Sequence, residues 1–170
     1  GAIVSAISLG LTVTIMGNNY TMQAILFPFI IAAVGIIASI LAQLFVRLKT
    51  WENPQKALSI ATYVATGIVI IASYLASTWL FGTMNPFLSV LTGLLVGILL
   101  GKIAEYYTSD EYKKVKEIAS ESQTGHATNI ISGFSVGMES TMMTVVVLVL
   151  GIVLSFLFFD MYGIALGAVG

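Results

Sequence analysis

Hydrophobic and polar positions segregate in this chain on the scale of whole helices. No Asp, Glu, Lys or Arg lies in residues 1–46, 57–101, 122–138 or 140–159. Several of these runs reach or exceed the ~20 residues that a helix needs to cross a ~30 Å hydrocarbon core. The pattern predicts an all-α polytopic transmembrane helix bundle with about four full spans and a partial helix at each end. The expected elements are the end of a helix over 1–16, spans over 22–46, 57–81, 86–107 and 125–159, a connector over 108–123 and the start of a helix over 161–170. At ~1.5 Å per residue, residues 2–16 fall short of a crossing.

The polar interruptions refine this reading. GNNYT at 17–21 is a turn, and Pro28, about two turns into the next span, removes one backbone hydrogen bond and is expected to bend it. RLKTWENPQK, residues 47–56, carries three positive charges and Trp51, an interfacial anchor, while Trp79 and Phe81 mark the opposite interface. Asn85 is a natural N-cap and Pro86 suits the first helical position. Gly93, Gly97 and Gly101 recur every four residues, which puts them on one face as a helix-packing surface. Thr108 and Glu111 have the spacing of a capping box. Beyond them Tyr112, Val115 and Ile118 or Ala119 recur opposite Lys113, Lys114, Lys116 and Glu117, as in a short amphipathic helix at a membrane surface. The run from Gly125 to Phe159 exceeds a simple crossing, so its first turns are expected to project from the membrane. Asp160 closes it.

Composition fixes the class. Of 170 residues, 58% are hydrophobic and 9% charged, with a mean hydropathy of +0.99, whereas a soluble domain carries about a quarter charged residues. The chain reads as an integral, multi-pass membrane protein in contact with the lipid bilayer, with no nucleic-acid partner. All seven basic residues, Arg47, Lys49, Lys56, Lys102, Lys113, Lys114 and Lys116, lie on two alternate connectors. By the positive-inside rule, loops 47–56 and 102–123 are expected to face the cytoplasm. The net charge of −1 discriminates nothing, and the lack of cysteine excludes disulfides and thiolate metal sites. Gly1 opens directly in an apolar run without a basic leader, and both ends fall inside helices, so the chain is expected to be an internal fragment of a larger subunit.

At EYYTS (Glu105 to Ser109), SQTGHATNII and GFSVGMEST the sequence resembles the membrane-bound, ion-pumping inorganic pyrophosphatases. Thr124, Gly125, Ala127 to Ile130, Gly133 and Gly137 match the family's helix-opening run. FPFIIAAVGI at 27–36 and MYGIALGAVG at the end fit in order and spacing, so the resemblance covers essentially the whole chain. It implies the end of the sixth helix, all of the seventh to tenth and the start of the eleventh in a sixteen-helix subunit. It further implies a homodimer that hydrolyses pyrophosphate at a cytoplasmic magnesium site, with potassium as a second cofactor left open, and moves protons or sodium ions outward. Such chemistry needs many carboxylates to hold metal ions against phosphate. The eight acids here show no paired-aspartate repeat, and there is no P-loop. The family's aspartate-rich motifs belong to helices outside these residues, so no catalytic, metal or substrate-binding residue is assigned, and the segment alone is expected to be inactive.

Glu139 lies well inside a predicted span, where a carboxylate by default suggests an ion path. A bundle-facing Glu paired with a hydroxyl serves packing equally well, and that reading is preferred. His126, at a cytoplasmic helix start, reads as a hydrogen-bonding or solvent-facing residue ahead of a metal or phosphate ligand. Gly133 and Gly137 repeat the four-residue packing spacing. The expected role is mainly scaffold within an ion pump, to be weighed against a small stand-alone channel or carrier using Glu139 and against a non-catalytic assembly subunit.

Overall fold

The structure, a computed structural model, describes residues 1–15, 18–48 and 54–170. The interfacial anchor expected at Trp51, and Lys49 beside it, lie outside the described residues. The chain forms α1 (Ala2–Gly10), β1 (Thr14–Ile15), β2 (Asn18–Asn19), α2 (Thr21–Leu48), α3 (Pro54–Phe81), α4 (Asn85–Thr108), α5 (Lys113–Glu121) and α6 (His126–Val169). Four stretches are long and apolar enough to cross a membrane: Thr21–Arg47, Ala57–Phe81, Asn85–Glu121 and His126–Val169. The fold is an all-α polytopic bundle, because in lipid the backbone must satisfy its own polar groups and a helix does so within one segment.

Two local features depart from the pattern read in the sequence. α1 stops at Gly10, and Thr14 and Ile15 pair antiparallel with Asn19 and Asn18. The run Thr12, Val13, Thr14, Ile15 is β-branched throughout, which disfavours a helix and suits an extended ladder. The capping box at Thr108 and Glu111 does not form. α4 continues through Thr108, whose hydroxyl donates back to the Ala104 carbonyl at 2.6 Å, and α5 starts at Lys113 after Tyr112 with no side-chain cap. As the sequence pattern expects, α6 breaks where Asp160 closes the apolar run, with non-helical torsions at Phe159 (φ −154°, ψ 41°) and Asp160 (φ 48°, ψ −143°).

The described residues divide into two compact units, 1–94 with 154–170, and 95–153. In the first, α2 packs chiefly on α3 and also on α1. A β-carbon on Gly10 would stand 3.0 Å from the Ala24 carbonyl oxygen, so the absence of a side chain lets α1 approach α2. Ala24, Phe27, Ile31, Ala38, Val69, Ala76, Val90 and Leu166 form the core. Phe81 sits among aromatic rings, 5.5 Å from Phe27 and 6.4 Å from Phe159, both edge-on. Buried Ser73, Ser89 and Thr92 return their hydroxyls to carbonyls of their own helices, and Ser77 donates to the Thr83 carbonyl in the turn after Gly82. These four hydroxyls are thereby carried in an apolar interior with their donors satisfied, whereas the Thr83 hydroxyl is buried without a hydrogen-bond partner among the described residues.

After the break at Asp160 the chain folds back on itself within this unit. A β-carbon on Gly163 would run into the Ser155 carbonyl, and one on Gly167 would stand 2.6 Å from the Ser155 hydroxyl. Gly93 meets the Gly167 backbone in the same way. Small residues on three segments therefore let backbones close to near contact.

The second unit contains the end of α4, the connector, α5 and the first part of α6. At its centre Gly151 faces Val96 so closely that a β-carbon would overlap the valine methyl.

Candidate functional site

The polar chemistry of the second unit gathers where α4, α5 and α6 come together. The Lys114 ammonium stands 2.6 Å from Glu139 Oε2, and the Tyr107 hydroxyl donates to Glu139 Oε1 at 3.2 Å. The three residues come from α5, α6 and α4 respectively, separated by 25 and 32 positions from the glutamate. Each is placed by its helix. Tyr107 lies in the last turn of α4, where the Tyr106 ring stands edge-on to those of Tyr107 and Tyr112, with centroids 5.0 and 5.2 Å away respectively. Lys114 occupies the first turn of α5, on the side shared with half-buried Val115 and Ile118, while Lys113 and Lys116 are exposed. Glu139 stands 13 residues into α6, about 20 Å along it.

The 20 uncharged residues between Glu139 and Asp160 rise about 30 Å, the thickness of a hydrocarbon core. The Glu139 side chain is 42% exposed and bonded to a residue of the charged connector. Within the stretch His126–Val169 it is thus an acid held by a lysine and a phenol. Lys114, in the connector outside the spans, is held above the ordinary lysine range, first by its hydrogen bond to Glu139 and against the opposing effect of desolvation. A carboxylate with both oxygens engaged and a cation at contact distance is poor equipment for carrying an ion, since a passing cation would have to displace Lys114.

The other candidates lie elsewhere. His126 is the exposed first residue of α6. Around it, the Thr128 hydroxyl donates to the Gly125 carbonyl at 2.9 Å and lies 2.7 Å from that of Thr124, which also reaches Glu121 Oε2 at 3.1 Å. The TGHATN run thus builds the entry to a helix. Gly97, Gly101, Gly133 and Gly137 meet nothing within 4 Å among the described residues, whereas Gly93 lies against Gly167. An open apolar groove borders Gly133, Phe134, Gly137, Met138, Thr141 and Met142. Sequence reasoning did not single out Tyr107 and Lys114, or the close-packed Gly163 and Gly167. The four-residue spacing of the latter pair was a readable signal.

Among the described residues no three His, Cys, Asp or Glu side chains stand close enough to share a metal ion. With Glu139 committed to Lys114, the donor set here does not fit a magnesium site.

Comparison with known proteins gives a consistent picture. The sequence profile of a family described as inorganic H+ pyrophosphatase matches residues 1–170. The chain is 42% identical, over its whole length, to a putative K(+)-stimulated pyrophosphate-energized sodium pump of Clostridium tetani, covering 26% of that protein. It is 34% identical to a K(+)-insensitive pyrophosphate-energized proton pump of Chloroflexus aurantiacus, over 99% of this chain and 25% of the relative. To a K(+)-stimulated pyrophosphate-energized sodium pump of Thermotoga maritima it is 34% identical over its whole length, covering 27% of that protein. The chain therefore spans about a quarter of the length of these relatives.

Proposed function

The chain belongs to the inorganic H+ pyrophosphatase family, and from that footing we propose that it supplies membrane helices to a pump coupling pyrophosphate hydrolysis to outward transport of protons or sodium ions. The observation that carries this reading is the match over all 170 residues, with relatives that are themselves named pyrophosphate-energized pumps. The role of this segment is scaffold. Its acids gather no metal-binding group among the described residues, and its salt-bridged Glu139 serves to hold the connector.

Magnesium would act on pyrophosphate by neutralising charge and activating water, at ligands outside this chain. Potassium enters on the same footing, from relatives described as K(+)-stimulated, and the homodimer as the assembly in which the outer helices find their remaining partners. Loops 47–56 and 102–123 face the cytoplasm, a reading supported by the confinement of all seven basic residues to them.

The test uses membranes bearing a protein of the relatives' full length that contains this segment. Added pyrophosphate should be hydrolysed and should drive acidification or sodium uptake into inverted vesicles. Membranes that release no phosphate from pyrophosphate would sink the proposal. The 170-residue chain alone should release none with magnesium present, and release by the purified segment would show that its acids have been misread.

A further inference from the structure

Pro28 lies inside α2 and is fully buried. Proline has no N–H, so the carbonyl of Ala24, four residues earlier, loses the donor that a helix would normally supply. Ala24 is itself 0% exposed, and an unmatched carbonyl in an apolar interior is costly. The Tyr162 hydroxyl donates to that carbonyl at 2.7 Å, across 138 residues of sequence. Tyr162 stands two residues beyond Asp160, whose positive φ marks the reversal of α6. Its ring lies 5.4 Å from Phe159, which leads through Phe81 to Phe27, the neighbour of Pro28.

We propose that Pro28 and Tyr162 form a proline-specific tie, in which the proline frees one carbonyl, the tyrosine takes it, and the pair fixes the start of the returning helix against α2. The strained turn at Asp160 is then held from the far side by a directional bond as well as by packing. A tyrosine that merely filled space would act through its ring alone, and phenylalanine would replace it without loss. A generic hydrogen bond would matter equally whatever residue stood at position 28.

The experiment is a double-mutant cycle in a protein of the relatives' full length, read as the midpoint of thermal unfolding in mild detergent. Tyr162→Phe should lower the midpoint by roughly 1–2 °C, the shift that loss of one buried hydrogen bond gives in a protein about four times the length of this segment. In a Pro28→Ala background, where the introduced residue's own N–H serves the Ala24 carbonyl, the same change should move it by less than about 0.5 °C. Equal losses in both backgrounds, or no loss from Tyr162→Phe alone, would overturn the tie. Should Tyr162→Phe fail to yield folded protein, recovery on adding Pro28→Ala supports the proposal and failure to recover overturns it. A second reading does not depend on altering Pro28: with the Ala24 carbonyl alone isotope-labelled, its infrared band should shift to higher frequency in Tyr162→Phe. An unmoved band rules the bond out.

Discussion

Asp160 adopts φ 48° and ψ −143°, a conformation that glycine reaches freely and an L side chain reaches only under strain. Asp160→Gly should therefore leave stability unchanged or raise it by up to about 1 kcal/mol, relief of strain being partly offset by the greater freedom of an unfolded glycine. A thermal midpoint that falls instead would show that the carboxylate has work of its own at the turn. Lys114→Ala should change the thermal midpoint little, as befits a solvent-screened ion pair, yet should make the connector easier to cut by trypsin at Lys113 and Lys116. Glu139→Gln keeps an acceptor for Tyr107 and should not alter the number of ions moved per pyrophosphate. Loss of transport with hydrolysis intact would place Glu139 on the conduction path. Because the lysine's affinity for its proton is raised, the pair's contribution is complete below the ordinary lysine range and disappears only as pH climbs through the raised value. It should thus persist at neutral and mildly alkaline pH. Glu139 itself stood out in the sequence as an acid in an apolar run, but its partners did not. Nothing local relates Lys114 or Tyr107 to a residue 25 or 32 positions away, and only the folding of α5 against α6 brings them together.

Among the elements, glycine spacing was informative about which helices carry small faces and uninformative about which faces are used within this chain. Gly93 is close-packed, but against Gly167 of the returning segment, which a reading centred on Gly93, Gly97 and Gly101 passed over. Gly167→Leu should be among the most damaging single changes in the first unit. Its side chain would overlap Ser155, and overpacking of this kind costs about 1–3 kcal/mol, more where backbone must move. Gly97→Leu, with open space before it, should be far milder in the same unfolding assay of the full-length protein. A Gly97→Leu loss equal to that of Gly167→Leu would mean that other helices occupy that space. The lengths of the long helices were legible because apolar runs set them. The end of α1 and the start of α5 depended on β-branching and on a helix running one turn further than its cap signal, neither of which hydropathy reports, whereas the break at Asp160 was marked by the charge that closes the apolar run.

For the molecule as a whole, the asymmetric placement of Lys and Arg makes a topological prediction. Single cysteines introduced as Thr50→Cys and Ser120→Cys should react with a membrane-impermeant thiol reagent from the cytoplasmic side, and Asn18→Cys only from the other side. Labelling of Asn18→Cys from the cytoplasm would invert the orientation. The multi-span class was plain from the sequence because a bilayer demands long uncharged runs. The bond between Tyr162 and Ala24 was not, since it joins positions whose proximity exists only after the intervening helices have assembled. That separation has a consequence in time. A ribosome adding about 5–20 residues per second needs roughly 7–28 s to make the 138 residues between the carbonyl of Ala24 and the hydroxyl that satisfies it. During that interval α2 exists with a proline and no tyrosine. Its freed carbonyl must borrow a donor from water or from the insertion machinery, and the first unit can close in its final form only when nearly the last residues of the segment have emerged.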